Sequence, residues 1–189
     1  MNTLEGEMVA VVGLGESGRA AAWLALEKGG VVHVSDLRTD TATHARGAEL
    51  RARGAEVELG SHPVDRIAGA GTVVVSPGIR PDAPVLKELG DRRVRWISEP
   101  EFAFRFFDGP LIAVTGTNGK TTTAAALALV AAERDRRCLL VSTDPAHSLA
   151  DLFGRPIGHR ETALTASLWA LEIDPDRQAD EHLETVKAR

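Results

Sequence analysis

This sequence predicts an α/β protein made of two successive units, each built around a parallel sheet. Three observations lead to that fold class. Short runs rich in β-branched residues alternate with helical stretches, a pattern typical of parallel strands covered by helices. A glycine-containing loop joins a strand to a helix in each half of the chain. The turn residues Phe107-Asp108-Gly109-Pro110 separate the halves, so we predict units over 1–108 and 109–189.

The first unit is predicted to contain strands at 8–13, 31–36, 57–59, 72–76 and 94–97. Apolar and alanine-rich faces at helical spacing predict helices at 17–28 and 43–53, the second ending at Gly54. In the second unit we predict strands at 111–114, 138–142 and 168–173. Helices are predicted there at 120–133, 148–153 and 175–187, so that 111–142 forms a strand–helix–strand unit.

Composition excludes several classes of protein. Hydrophobic residues make up 43% of the chain and charged residues 26%, which is typical of a folded globular protein. The net charge of −5 argues against a nucleic-acid partner, because nonspecific phosphate contacts need a basic surface. Cys138 is the only cysteine, and we find neither an export signal nor an apolar run long enough for a membrane span. We therefore expect a cytoplasmic protein.

A glycine-rich turn lies between the first predicted strand and the first predicted helix. Residues 13–18 have the pattern G-x-G-x-x-G, and Asp36 ends the next strand. In such a turn the glycines let a pyrophosphate approach the helix N-terminus, and the acid receives a ribose hydroxyl. We therefore predict a Rossmann-like, nucleotide-binding first unit. The alternative is a glycine turn without a ligand, and the glycines do not fix which nucleotide binds.

A second phosphate-binding pattern opens the helix predicted at 120–133. Consecutive backbone N–H groups there can hold the phosphates of ATP, Lys120 can reach the terminal phosphates, and the Thr121 hydroxyl can join a Mg²⁺ shell. The loop departs from the strict G-x-x-x-x-G-K-[ST] pattern, because Val114 stands where the first glycine is expected. We predict a partial P-loop NTPase α/β unit with these ATP-binding residues: Thr115, Gly116, Thr117, Asn118, Gly119, Lys120, Thr121 and Thr122. The alternative is an exposed lysine in a glycine turn.

Two further positions follow predicted strands. Asp144 comes after the strand at 138–142, where a carboxylate could orient a water or hold Mg²⁺ through water, although Asp-Pro also begins ordinary turns. Gly78 lies at the carboxyl end of the strand at 72–76, the edge at which open α/β sheets bind ligands, although Ser76-Pro77-Gly78 by itself is also a common turn. We take Lys120 and Asp144 as candidate catalytic residues and Thr121 as a candidate metal ligand.

Residues 8–123 resemble the N-terminal part of the Mur ligase family, most closely its MurD-like members. The stretches that carry this resemblance are 12–18, 35–38, 76–79, 98–101 and 112–122. In that family the Rossmann-like first domain holds the UDP moiety of the substrate, so the resemblance implies UDP rather than NAD. The UDP-binding residues that it implies are Gly13, Gly15, Glu16, Ser17, Asp36, Arg38 and Gly78.

From about residue 120 onward the sequence resembles the ArsA-type ATPases, which serve anion pumps and the targeting of tail-anchored proteins. The stretches 124–129, 137–153 and 168–175 carry this resemblance. It implies that Asp144 belongs to a switch that positions the hydrolytic water. The two resemblances meet in the P-loop that both families share, so the chain looks like a chimera.

Three functions remain open. The first is an ATP-binding protein similar to the N-terminal part of a Mur ligase, with Mg²⁺ and a UDP-linked muramoyl substrate, serving ATP-dependent amide-bond formation in peptidoglycan precursor synthesis. The second is an ArsA-like ATPase, for which alone a dimer is expected. The third is a noncatalytic nucleotide-binding chimera, because we expect parts of both templates to be missing: the central and C-terminal domains of the ligase, and the interface lysine of the ATPase, whose position holds Thr115. An NAD-dependent oxidoreductase is disfavoured, because a P-loop follows the first unit.

Overall fold

The computed structural model describes residues 3–143, 148–158 and 160–173. The chain divides into two compact units, Met1–Gly109 and Pro110–Arg189. The boundary therefore lies among the turn residues at 107–110.

The first unit is a five-stranded parallel sheet with the strand order β3-β2-β1-β4-β5. Its strands are β1 (Met8–Val12), β2 (Val31–Asp36), β3 (Glu56–Leu59), β4 (Thr72–Val75) and β5 (Ile97–Ser98). Its helices are α1 (Glu16–Glu27), α2 (Thr41–Ala52), α3 (Val64–Ala68), α4 (Pro84–Asp91) and α5 (Glu99–Phe104). The strand order reverses direction between β1 and β4, and such a switch point opens a crevice at the carboxyl ends of the two strands.

All five predicted strands and both predicted helices of this unit are confirmed, with shifted ends. The largest shift is in β5, which is confined to Ile97–Ser98 although a strand was predicted from residue 94. Sequence reasoning missed α3, α4 and α5. Helices α3 and α5 have five and six residues, too few to show a helical period, and α4 begins with Pro84, which also reads as a turn residue.

Both faces of the first sheet are buried. One face packs against α1, α2 and α5, and its buried residues include Val9, Val11, Val32, Val34, Val74, Ala21, Ala22, Ala25, Leu50 and Phe102. The other face packs against α3 and α4, with Ala10, Val12, Val73, Val75, Ile67, Val85, Leu86 and Leu89. Alternate residues of β1 thus serve opposite faces, as the period of two in a strand requires.

The second unit contains α6 (Lys120–Glu133), β6 (Cys138–Ser142), α7 (Ser148–Phe153), β7 (Thr162–Ala163) and β8 (Leu168–Glu172). Its sheet has the order β6-β8-β7, with β6 parallel to β8 and β7 antiparallel to β8. The predictions for α6, β6, α7 and β8 are confirmed, and the two-residue β7 was not predicted. The helix predicted at 175–187 lies outside the described residues.

The strand predicted at 111–114 is wrong. These residues form no strand, and Ile112 is 73% exposed. A strand needs a partner to satisfy its backbone groups, and within the described part of the chain β6 pairs with β8 alone. The apolar run at 111–114 therefore has no pairing partner among the described residues. No helix within the described residues is both long enough and apolar enough to cross a membrane.

Candidate functional site

The glycine turn between β1 and α1 packs closely against the turn that follows β4. Gly13 has a φ of 102°, and a Cβ there would lie 2.8 Å from the Cβ of Ser76. A Cβ on Gly18 would lie 2.1 Å from the carbonyl oxygen of Gly13. Both positions therefore require glycine. Gly15 differs, because nothing lies within 4 Å of its Cβ position, so the middle of the turn is open.

Asp36, at the end of β2, fixes this turn from the side. It is 4% exposed, and its Oδ2 accepts the backbone N–H of Leu14 at 2.6 Å. Arg38 donates its backbone N–H to Oδ1 at 2.7 Å, and its guanidinium contacts both carboxylate oxygens at 3.0 and 2.7 Å. Burial tends to raise the pKa of Asp36, but the hydrogen bonds from Arg38 and Leu14 outweigh it and lower this pKa to about 2. The carboxylate thus holds the turn and Arg38 in place.

Two predicted UDP-binding residues begin α1. Glu16 forms ion pairs with Arg19 at 3.2 Å and with Arg46 at 2.7 Å. Ser17 is exposed, and its Oγ donates a hydrogen bond of 2.9 Å to Oε1 of Glu99. Glu99 is the first residue of α5 and is only 7% exposed. In the sequence, Glu99 stands out only as part of the stretch 98–101, and no local signal links it to a serine 82 positions away.

A cavity of about 690 Å³ lies at the same edge of the sheet. It is bounded by the loops that follow β2, β3 and β4, and Leu37, His62 and Gly78 are among its lining residues. No atom lies within 4 Å of the Cβ position of Gly78. His62, which sequence reasoning missed, forms a hydrogen bond of 2.8 Å between its Nδ1 and the Oγ of Ser35. The structure therefore brings Asp36, Arg38 and Gly78 to one edge, with a cavity large enough for a nucleoside.

The second unit carries the predicted P-loop at the start of α6. Gly116 has a φ of 151°, and Gly119, the N-cap of α6, has a φ of 76°. The Nζ of Lys120 donates to the carbonyl oxygens of Gly116 at 2.9 Å and Thr117 at 3.4 Å, so the lysine lies against its own loop. Thr121 is the second residue of the helix. The first N–H groups of a helix have no partner within it, so this loop and helix offer the donors that a phosphate needs.

The residues present fit Mg²⁺-ATP. A Cβ on Gly119 would meet nothing within 4 Å, which leaves the loop open, and the Thr121 hydroxyl is a suitable hard oxygen ligand. The described residues hold no group of three or more His, Cys, Asp or Glu arranged around a metal. Mg²⁺ does not need such a group where phosphates supply most of its ligands. Asp144, the other candidate catalytic residue, lies outside the described residues.

Two family models match the chain. Residues 7–98 match the Mur ligase MurD-like, N-terminal domain, a stretch that runs from β1 to β5. Residues 111–189 match the Anion-transporting ATPase model, a stretch that includes the whole P-loop. Both resemblances seen in the sequence are therefore supported. The two models meet between residues 98 and 111, earlier than the change near residue 120 that the motifs indicated.

Curated relatives show the same likeness to ligases. The UDP-N-acetylmuramoylalanine–D-glutamate ligase of Desulfatibacillum aliphaticivorans is 44% identical over 119 residues, which cover 63% of this chain and 26% of the relative. The ligase of the same name from Thermobifida fusca (strain YX) is 44% identical over 140 residues, 73% of this chain and 30% of the relative. The chain thus spans less than a third of these relatives. Because 140 residues exceed the length of the unit Met1–Gly109, the second likeness extends into the second unit.

A solved structure supports the fold. The murein peptide ligase mpl from Psychrobacter arcticus 273-4 superposes with a TM-score of 0.50 over 89% of this chain and 38% of its own, at 21% identity. With the five-stranded parallel sheet, this establishes an α/β protein with a Rossmann-like first unit.

Proposed function

We propose that this chain supplies the UDP-binding and ATP-binding parts of a Mur-type ligase. Its first unit would bind the UDP group of a muramoyl substrate, and its P-loop would bind Mg²⁺-ATP, for ATP-dependent amide-bond formation in peptidoglycan precursor synthesis. The observation that carries the proposal is the meeting of the glycine turn, Asp36, Arg38 and Gly78 at the switch point of a sheet whose sequence matches the MurD-like N-terminal domain. A cytoplasmic location belongs to the same proposal.

Backbone amides at the start of α1 are the main anion-binding groups of the proposed UDP site. The turn there is open at Gly15, and the helix N-terminus favours negative charge. The adjoining cavity, with Leu37, His62 and Gly78 in its lining, offers room for the rest of the nucleotide. In this proposal Asp36 positions Arg38 and the turn, because its hydrogen bonds within the described residues go to Arg38 and to Leu14 in the turn.

The substitution Gly15→Ala tests this site. The φ of −77° at Gly15 suits alanine, and no protein atom lies within 4 Å of the added methyl group. The fold should therefore be retained while the methyl group occupies the open space at the turn. We expect UDP affinity, measured by calorimetry, to fall at least about tenfold, the equivalent of ~1.4 kcal/mol. Gly90→Ala on α4 is the matched control, because its Cβ position is also empty but lies outside the turn. Equal UDP affinity in the Gly15 variant and its control would refute the site.

Lys120 is the central residue of the proposed ATP site. Its ammonium already lies over the loop carbonyls of Gly116 and Thr117, and in the proposal it turns to the β- and γ-phosphates while Thr121 contacts Mg²⁺. Asp144 is proposed to act beside the terminal phosphate.

Thermal unfolding with and without Mg²⁺-ATP tests the P-loop. A ligand at a hundred times its Kd stabilises the native state by about 2.7 kcal/mol, and we expect Lys120→Ala to remove that gain. Arg134→Ala, at the opposite end of α6, keeps the helix and the loop and should retain it. An ATP-induced shift of the same size in both variants would contradict the role of Lys120.

A second candidate function is an ArsA-like ATPase, and the match of residues 111–189 to the Anion-transporting ATPase model favours it. It would couple ATP hydrolysis to anion transport or membrane-protein targeting. The two functions differ in the role of the first unit. ATP hydrolysis that proceeds at the same rate in wild type and in Gly15→Ala, with and without UDP, would favour the ATPase. A noncatalytic nucleotide-binding chimera predicts binding of both nucleotides and no turnover.

A further inference from the structure

We infer that Glu99 sets the ligand preference of the first glycine turn. Its carboxylate accepts the one hydrogen bond that the Ser17 hydroxyl can donate, and this weakens the binding of a diphosphate at the turn. The inference rests on the proposed UDP binding by the first unit and concerns how that site selects its ligand.

The contact joins two helix starts. Ser17 is the second residue of α1 and is exposed at the turn, and its Oγ donates to Oε1 of Glu99 at 2.9 Å. Glu99 begins α5 immediately after its N-cap Ser98 and is almost fully buried. A buried carboxylate needs hydrogen-bond donors, and here an exposed serine supplies one.

The number of protons then decides what Ser17 can offer a ligand. A serine hydroxyl has one proton and two lone pairs, and an ionised carboxylate only accepts. While Ser17 donates to Glu99, it presents only lone pairs to the open turn. Phosphate oxygens are acceptors as well, so Ser17 cannot donate to a pyrophosphate unless it gives up Glu99.

Glu99 differs from the other acidic side chains around the turn, which are paired with arginines. Glu16 is paired with Arg19 and Arg46, and Asp36 is paired with Arg38. Within the described part of the chain, Glu99 makes no ion pair. The Ser17 hydroxyl is the donor that the structure places on this carboxylate. The turn holds a diphosphate through backbone N–H groups alone, and the Ser17 oxygen is reserved for a ligand group that donates, such as a sugar hydroxyl.

The test is a double-mutant cycle in the full chain, with UDP and uridine as probes in titration calorimetry. Glu99→Gln removes the charge, and its amide can donate to Ser17 and free the hydroxyl proton. We expect Glu99→Gln to bind UDP about tenfold more tightly, the value of one hydrogen bond to a charged group, and to bind uridine unchanged. Ser17→Ala alone is the reference for the double variant, in which the gain should be lost. Glu101→Gln removes the same charge from an exposed position of α5 and should leave UDP affinity unchanged.

Three outcomes overturn the inference while leaving UDP binding intact. These are a large loss of UDP affinity in Ser17→Ala, no gain in Glu99→Gln, and a gain that persists in the double variant or appears equally in Glu101→Gln. Absence of UDP binding in wild type and in every variant would instead overturn the proposed function, and this inference with it. Circular dichroism of each variant confirms that the fold is retained.

Discussion

The two units cover their sheets differently. In the first unit, helices lie on both faces, and Val11 and Val12, neighbours on β1 with opposite orientations, are both fully buried. In the second unit, Leu140 of β6 packs with α6 and α7, whereas its neighbours Leu139 and Val141 are 46% and 44% exposed. The two strands β1 and β6 are both largely apolar, but only β1 is buried on both faces. Burial of the second face depends on elements elsewhere in the chain.

Matched leucine substitutions test this comparison and should give the largest effect. Leu50→Ala, in the core of the first unit, should lower its free energy of unfolding by about 2–5 kcal/mol, since it leaves a cavity. Leu139→Ala should cost the second unit less than about 1 kcal/mol. Urea unfolding can follow the first unit through Trp23 and Trp96 in a Trp169→Phe background, and the second through Trp169 in a Trp23→Phe/Trp96→Phe background. A comparable cost at both sites would show that the outer face of β6 is covered in solution.

Asp36→Asn should have the next largest effect, confined to the first unit. The pKa of Asp36 is lowered from 3.8 to about 2 in the fold, so its contribution is complete above pH 3.8 and is lost as the pH falls towards 2. We expect Asp36→Asn to cost about 2 kcal/mol at neutral pH and to flatten the acid limb of the stability curve. Asp82→Asn, in the exposed pair with Arg80, is the control and should change little. The same acid limb in wild type and in Asp36→Asn would contradict this role.

His33→Val should give the smallest effect and the opposite sign. His33 is buried on β2, and within the described residues neither of its ring nitrogens has a hydrogen-bond partner. Burial, aided by the charge of Arg66, lowers the pKa of His33. Below about pH 6.5 the unfolded chain therefore takes up a proton that the fold resists, and stability falls as the pH decreases.

Valine suits a buried strand, so we expect His33→Val to gain about 1 kcal/mol at pH 7 and to weaken this pH dependence. Denaturant unfolding of the first unit at pH 5, 6 and 7 measures both effects. His44→Val, at a position exposed on α2, is the control. A loss of stability in His33→Val at pH 7 would show that the imidazole makes a contact the fold needs.

The sequence by itself determined most of the longer local elements and the positions of both glycine turns. Glycine spacing places a turn after β1 and another before α6, because backbone angles such as the φ of 76° at Gly119 are accessible mainly to glycine. Residue periodicity placed the main strands and helices for a similarly local reason, since side chains repeat at fixed intervals along each element.

Only the tertiary structure decided the contacts between distant residues. Three features depend on which elements become neighbours: the hydrogen bond from Ser17 to Glu99, the hydrogen bond between Ser35 and His62, and the lack of a partner for 111–114 within the described residues. Such contacts leave no local signal, because hydrogen bonding and strand pairing are satisfied by partners far away in the chain. The same reason explains why the hydrogen bonds of Asp36 to Leu14 and Arg38 could not be predicted from the sequence.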